Sequence, residues 1–220
     1  MPLKSIVRVP IEFVEKAAEC LHAMGVKSVI AAGISKGAEL ALAAGSLLPG
    51  INSVLALSPP SKIYMGVGSG ISWVNASSWS FRGKELAYAY APFSGLHALY
   101  NTLRAGELTF RPAYEKADLT ASPSCMIKVE NINGPVLLAA SQSDSLWPSA
   151  EACHEMMKRL DSNRFSYSHK ELVYKYASHL LLPFETSYGK LFRVGRKYPE
   201  ECSKTTRELK TEILEWLKIC

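Results

Sequence analysis

VKSVIAAGISKGAELALAAGSLL, Val26 to Leu48, is the stretch whose reading decides the fold. An apolar run, Val26 to Ala32, meets a helix-forming run, Leu40 to Leu48, across GISKGAE, Gly33 to Glu39. A buried strand therefore turns directly into a helix, and Gly-x-Ser-x-Gly lies at the turn, the context of a nucleophile elbow. A side chain lifted out of so tight a turn strains its backbone, and Gly33 and Gly37 leave room for neighbouring backbone to approach. Ser35 stands at the tip. The amide of Lys36, at the helix start, is placed to donate to a developing oxyanion. The pentapeptide alone also fits a purely structural strand-helix turn, so an acid and a histidine must follow in the right order for it to mean chemistry.

The rest of the chain supplies both. SVLALSPP (Ser53 to Pro60) reads as a second buried strand, and strand-helix-strand order implies a right-handed crossover and a parallel sheet. GPVLLAAS (Gly134 to Ser141) is a third strand, followed by a helix from Glu151 to Leu160; a fourth strand runs within Phe165 to Tyr176. Of the three aspartates, Asp118, Asp144 and Asp161, only Asp144 lies just past a strand end, where an Asx turn or a helix cap is the competing role. His179 sits in the loop YASHLLLP, whereas its rival His169 is in mid-strand, tied to one face of the sheet. Ser35, Asp144 and His179 thus follow the chain order nucleophile, acid, histidine of the α/β hydrolases.

The flanks complete an α/β architecture. Ile11, Val14, Ala18 and Leu21 mark a helix ahead of the elbow strand, and Leu209, Ile213, Trp216 and Leu217 mark a closing helix over Lys204 to Ile219. From Ser61 to Asn133 regular patterning fades, and the chain reads as one domain, residues 1–220, with a cap-like insertion around 61–133. Trp73, Trp79, Phe81, Tyr88, Tyr90 and Phe93 are candidates to line an acyl pocket there, or else pack the insertion onto the core, and Trp147 beside Asp144 is a further substrate-binding candidate.

Composition narrows the classes. At 220 residues and 48% hydrophobic, the chain can bury a sizeable core. The net charge of +5 is dispersed, which gives no support to nucleic-acid binding but suits attraction of a phosphate-bearing substrate. No apolar run approaches the roughly 18 residues of a membrane span, and MPLKSIVRVP lacks the core of a secretory signal, so a soluble, cytoplasmic protein without a membrane partner is expected. The five cysteines show no metal-ligand spacing, and no metal or cofactor is implied.

GISKGAELAL, PVLLAASQSDSLWPS and YASHLLLP resemble the three catalytic blocks of the acyl-CoA thioesterase and bile-acid-CoA:amino-acid N-acyltransferase family. The resemblance extends from the helix at Ile11 to the closing helix and corresponds to the carboxyl-terminal catalytic portion of that family's larger proteins. It implies an α/β-hydrolase-like fold, Ser35 as nucleophile, Asp144 as acid, His179 as base, and an acyl-CoA substrate in lipid metabolism. The acyltransferase branch is similar but carries cysteine at the nucleophile; serine here points to thioester hydrolysis. An ester- or dienelactone-cleaving hydrolase, the N-acyltransferase, and a non-catalytic interaction module are the alternatives. Only Met1 to Gly25 precede the elbow strand, too few residues for the usual amino-terminal strands, one of which is followed by the loop giving a second oxyanion donor. The elbow strand is then expected to be an open apolar edge, met by a homo-oligomer partner or a companion amino-terminal segment.

Overall fold

The computed structural model describes residues 5–69, 72–90 and 94–220. In chain order the elements are β1 (Val9–Pro10), α1 (Glu12–Ala23), β2 (Ile30–Ile34), α2 (Lys36–Leu47), β3 (Ser53–Leu57), β4 (Met65–Val67), β5 (Trp73–Ser77), β6 (Trp79–Phe81) and β7 (Lys84–Glu85). They continue with α3 (Gly95–Ala105), α4 (Arg111–Thr120), β8 (Val136–Ser141), α5 (Ser149–Ser162), β9 (His169–Tyr174), α6 (Arg193–Lys197) and α7 (Pro199–Trp216). The central sheet is β2-β3-β8-β9, every pair parallel.

Its two inner strands are buried on both faces, which explains why they read as continuous apolar runs. Alternation then sends successive side chains to different cores. Val54, Ala56, Val136, Leu138 and Ala140 pack with Ala41, Leu42 and Ala44 of α2, Ala18 of α1 and Met156 and Leu160 of α5. Leu55, Leu57, Leu137 and Ala139 face Leu209, Ile213 and Trp216 of α7, together with Ala177 and Leu181. At roughly 1.5–3 kcal/mol for each fully buried large apolar side chain, these layers hold the sheet edge that carries the site.

Several boundaries differ from the sequence expectation. The elbow strand begins at Ile30 rather than Val26, because its ladder starts where Ile30 meets Ser53. Val29 stops short of that ladder; its amide donates to the Asn52 side chain at 2.8 Å and its carbonyl accepts from the Asn52 amide. The closing helix begins at Pro199, not Lys204: proline suits the first turn, where its missing N–H costs nothing, and Glu200 and Glu201 follow it. β2 is an edge of the sheet, paired only with β3 among the described residues.

Residues 61–133 are more regular than their composition suggests. They hold a β4–β5 antiparallel ribbon, β6 joined to β1 and β7, and the helices α3 and α4. Strands of two to five residues are too short to establish a period, and α3 buries none of its side chains, so neither leaves the usual mark of a core element. Tyr64, Met65 and Ala89 from this region meet Tyr114 and Ala117 of α4 and Trp147 in a third buried cluster. Phe93 lies outside the described residues.

Candidate active site

β2 delivers the chain to Ser35 with its backbone at φ 57°, ψ −124°, a left-handed conformation costly for any residue bearing a Cβ. The turn is held from below by the Ser35 amide donating to Leu57 O at 2.9 Å, and from within α2 by the amides of Ala38 and Glu39 donating to Ser35 O. A Cβ on Gly33 would lie 2.1 Å from Gly37 O, so the first glycine of the motif is a steric necessity. One on Gly37 would meet nothing within 4 Å; the second glycine matters here through its backbone, which passes over Gly33. Lys36 is the first helical residue, a position at which a helix offers its own amide no acceptor.

Ser35 Oγ is 2.8 Å from His179 Nε2. On the other side of the ring, His179 Nδ1 is 2.9 Å from each carboxylate oxygen of Asp144. Asp144 and His179 are almost fully buried, at 2% and 1% exposure, so water scarcely competes for these bonds. Asp144 Oδ1 also accepts from the amides of Leu146 (2.9 Å) and Trp147 (3.3 Å), and Oδ2 accepts from Ser149 Oγ at 2.6 Å. The Asx turn considered as a competing role for Asp144 is thus formed by the same carboxylate that meets the imidazole. The loop carrying His179 is tied down by Ser58 Oγ donating to His179 O (2.8 Å) and Ser141 Oγ donating to Ala177 O (2.6 Å).

The other histidines are engaged elsewhere. His22 bonds the carbonyls of Val26 and Gly50, His154 meets Glu171, His97 meets Ser94, and His169 lies between Tyr167 O and Asp161. Among the described residues, no group of three His, Cys, Asp or Glu side chains is arranged to hold a metal ion.

The tryptophans divide. Trp147 is buried with its ring edge-on to His179, centroids 5.2 Å apart, and its indole N–H donates to Ser58 O at 3.0 Å. Trp73 packs on Tyr114 and Phe110 at the margin of the aromatic cluster. Trp79 is built into the main core, its indole N–H donating to Glu39 Oε1 at 2.8 Å, a place that gives it support of the elbow helix rather than a pocket wall. Phe81 and Tyr88 also pack against that core, and Tyr90 is partly exposed.

Several residues of the site carry little signal in the sequence. Glu39 is wholly buried one helical turn beyond Ser35, where it receives Lys36 Nζ, the Trp79 indole and the Tyr64 amide. Lys36 Nζ also donates to Ser78 Oγ at 2.7 Å and Met65 O at 3.2 Å. Burial lowers the Lys36 pKa and raises that of Glu39, each opposed by the charge of the other. The available clue was a Lys-x-x-Glu pair at helical spacing on a helix otherwise apolar all round. Ser58 and Ser149 were visible only as serines at a strand end and inside DSLWPS.

A family model described as BAAT / Acyl-CoA thioester hydrolase C terminal matches residues 9–186. The chain belongs to this family. No curated protein matches it. Among solved structures, a puromycin-hydrolysing peptidase of Mycobacterium tuberculosis is similar at TM-score 0.50 and 16% identity, over 95% of this chain and 25% of that one. Acetyl xylan esterase 1 from Thermoanaerobacterium sp. JW/SL YS485 is similar at TM-score 0.41 and 17% identity, over 82% of this chain and 49% of that one. An α/β-hydrolase enzyme from the metagenome of Mar Chica lagoon sediments, Morocco, is similar at TM-score 0.41 and 14% identity, over 97% and 72%. The chain therefore spans a quarter of the peptidase and about half of the esterase. The family member described here has an α/β-hydrolase-like fold, a parallel sheet flanked by helices. Among its described residues no helix is long and apolar enough to cross a membrane.

Proposed function

We propose that the chain is a serine hydrolase of acyl thioesters, with acyl-CoA as substrate and Ser35, His179 and Asp144 as its catalytic residues. The observation that carries this reading is the unbroken hydrogen-bond line from Ser35 Oγ through the His179 ring to Asp144. His179 Nε2 takes the Ser35 proton as Oγ bonds to the thioester carbonyl carbon, and the carbonyl electron pair moves to oxygen. The Lys36 amide donates to that oxygen. Collapse breaks the carbon–sulfur bond, the thiol leaves with the proton held by His179, and an acyl-serine remains. Water then loses a proton to His179 as it attacks, releasing the acid and restoring Ser35. Asp144 holds Nδ1–H and stabilises the imidazolium throughout.

The family description, acyl-CoA thioester hydrolase, supports the thioester. Serine rather than cysteine at position 35 favours water over an amine as acceptor. Trp147, beside the imidazole, and Trp73, at the margin of the aromatic cluster, are the proposed acyl contacts. The edge strand β2 is the proposed meeting point for a second copy or a companion segment, and a monomeric mass in light scattering at micromolar concentration would count against it.

The test is labelling with a fluorophosphonate together with turnover of matched thioester and oxyester substrates. Labelling lost in both Ser35→Ala and His179→Ala, with thioester turnover exceeding oxyester turnover, is the expected result. Labelling that survives Ser35→Ala overturns the assignment, and preference for the oxyester makes the protein a carboxylesterase.

A further inference from the structure

We infer that a basic groove behind the Asp144–His179 pair holds the phosphorylated adenosine end of the thioester's leaving group; the inference rests on the thioester reading above. The groove, about 260 Å³, opens where β8 and β9 end and is lined by Ser143 and Lys175 from the loops after those strands and by Arg193, Lys197 and Tyr198 of the α6 segment. Ser143 adjoins Asp144 in the chain, its Oγ reaches Lys175 O at 3.4 Å, and Lys175 lies four residues before His179. The groove and the site therefore share one sheet edge and one pair of loops.

Its cations are not paired with acids. Lys175, Arg193 and Lys197 are exposed, and none has a carboxylate within ion-pair distance among the described residues. The one acid lining the groove among the described residues, Glu107, accepts from the Arg193 backbone amide at 2.6 Å, which fixes the start of α6 without neutralising the guanidinium. Three cations against one carboxylate leave a positive cleft, suited to phosphate, in which arginine adds a bidentate fork. Aromatic surface lies beside it: Tyr176 and Tyr198 pack at 5.1 Å, with Lys175 and Lys197 each over a tyrosine ring. Phosphate-binding cations next to half-buried tyrosine rings suit a nucleotide better than an isolated anion.

The spacing fits as well. β9 is three strands from β2, which at about 4.8 Å per strand puts the groove about 14 Å across the sheet from Ser35. The arm between the sulfur and the diphosphate of coenzyme A has about a dozen bonds, and at the roughly 1.2 Å advance per bond of an extended chain it spans a similar distance.

The experiment compares KM for an acyl-CoA and for the same acyl group on N-acetylcysteamine, which lacks the nucleotide. Arg193→Ala/Lys197→Ala is expected to raise KM for acyl-CoA about tenfold, with kcat and the N-acetylcysteamine KM unchanged. Lys204→Ala/Lys210→Ala on α7 removes the same charge elsewhere and serves as control. Equal shifts for the two substrates, or an equal shift in the control, overturn the assignment. Should neither thioester be turned over, the thioester reading fails. Calorimetry with adenosine 3′,5′-bisphosphate then decides the groove alone: binding lost in the double variant upholds it, and absent or unaltered binding overturns it.

Discussion

Lys36 Nζ lies 2.9 Å from Glu39 Oε2 in the first turn of α2, directly beneath Ser35, with the carboxylate wholly buried. A buried ion pair of this kind gains little over apolar packing, yet breaking it strands a charge. The pair therefore acts as a clamp joining the elbow helix to Met65, Ser78 and Trp79. Lys36→Met is expected to cost about 3–5 kcal/mol in urea unfolding at neutral pH, and Lys36→Met/Glu39→Gln to recover more than half of that loss. The pH dependence has a definite sign. Burial raises the Glu39 pKa, so without its lysine the folded state is penalised as pH climbs from the usual carboxylate range through that raised value. The deficit of Lys36→Met should accordingly shrink in acid.

Asp144 receives two backbone amides, the Ser149 hydroxyl and the imidazole. Asp144→Asn keeps the acceptor for the amides but presents an amide N–H₂ to Nδ1, favouring the wrong tautomer. Turnover is expected to fall by about 10⁴-fold while the circular dichroism spectrum is retained. Ser149→Ala removes one charge-assisted bond, worth roughly 1.5–3 kcal/mol; a smaller loss of kcat with unchanged KM is expected from steady-state kinetics.

The two motif glycines should behave differently. Gly33→Ala forces a Cβ to 2.1 Å from Gly37 O, so a large drop in melting temperature is expected. Gly37→Ala enters open space in a helix and should leave stability unchanged or raise it by up to about 1 kcal/mol. Thermal melts of the two variants side by side check the contrast.

Arg159 of α5 holds Glu130 through two guanidinium nitrogens, and that hydrogen bonding keeps the Glu130 pKa below its ordinary value. A depressed acid contributes stability above its unfolded pKa and loses it as pH falls through the folded one. Arg159→Met is therefore expected to cost about 1 kcal/mol at pH 7 and almost nothing in strong acid, as read from denaturant midpoints at the two pH values.

Much of the frame is written locally. Gly33 and Ser35 between an apolar run and a helix former dictate the elbow, because strain and close backbone approach involve residues within a few positions of one another. The continuous apolar strands at Val54 and Val136 and the spacing of Leu209, Ile213 and Trp216 likewise declare a doubly covered sheet. Residues 61–133 resisted such a reading, since very short strands pair with partners remote in the chain, as β6 does with β1.

By itself, then, the sequence determined the order of Ser35, Asp144 and His179 and the strands that bring each to one sheet edge, because turn sterics and burial periodicity are short-range properties. Only the tertiary structure decided what those side chains touch. That Glu39 pairs with Lys36 under Trp79, that Ser58 pins the His179 loop, and that Trp79 enters the core follow from which segments become neighbours across the sheet. A polar group's partner is chosen by proximity in space, and with no water to satisfy it in the interior, that choice is made when the chain packs.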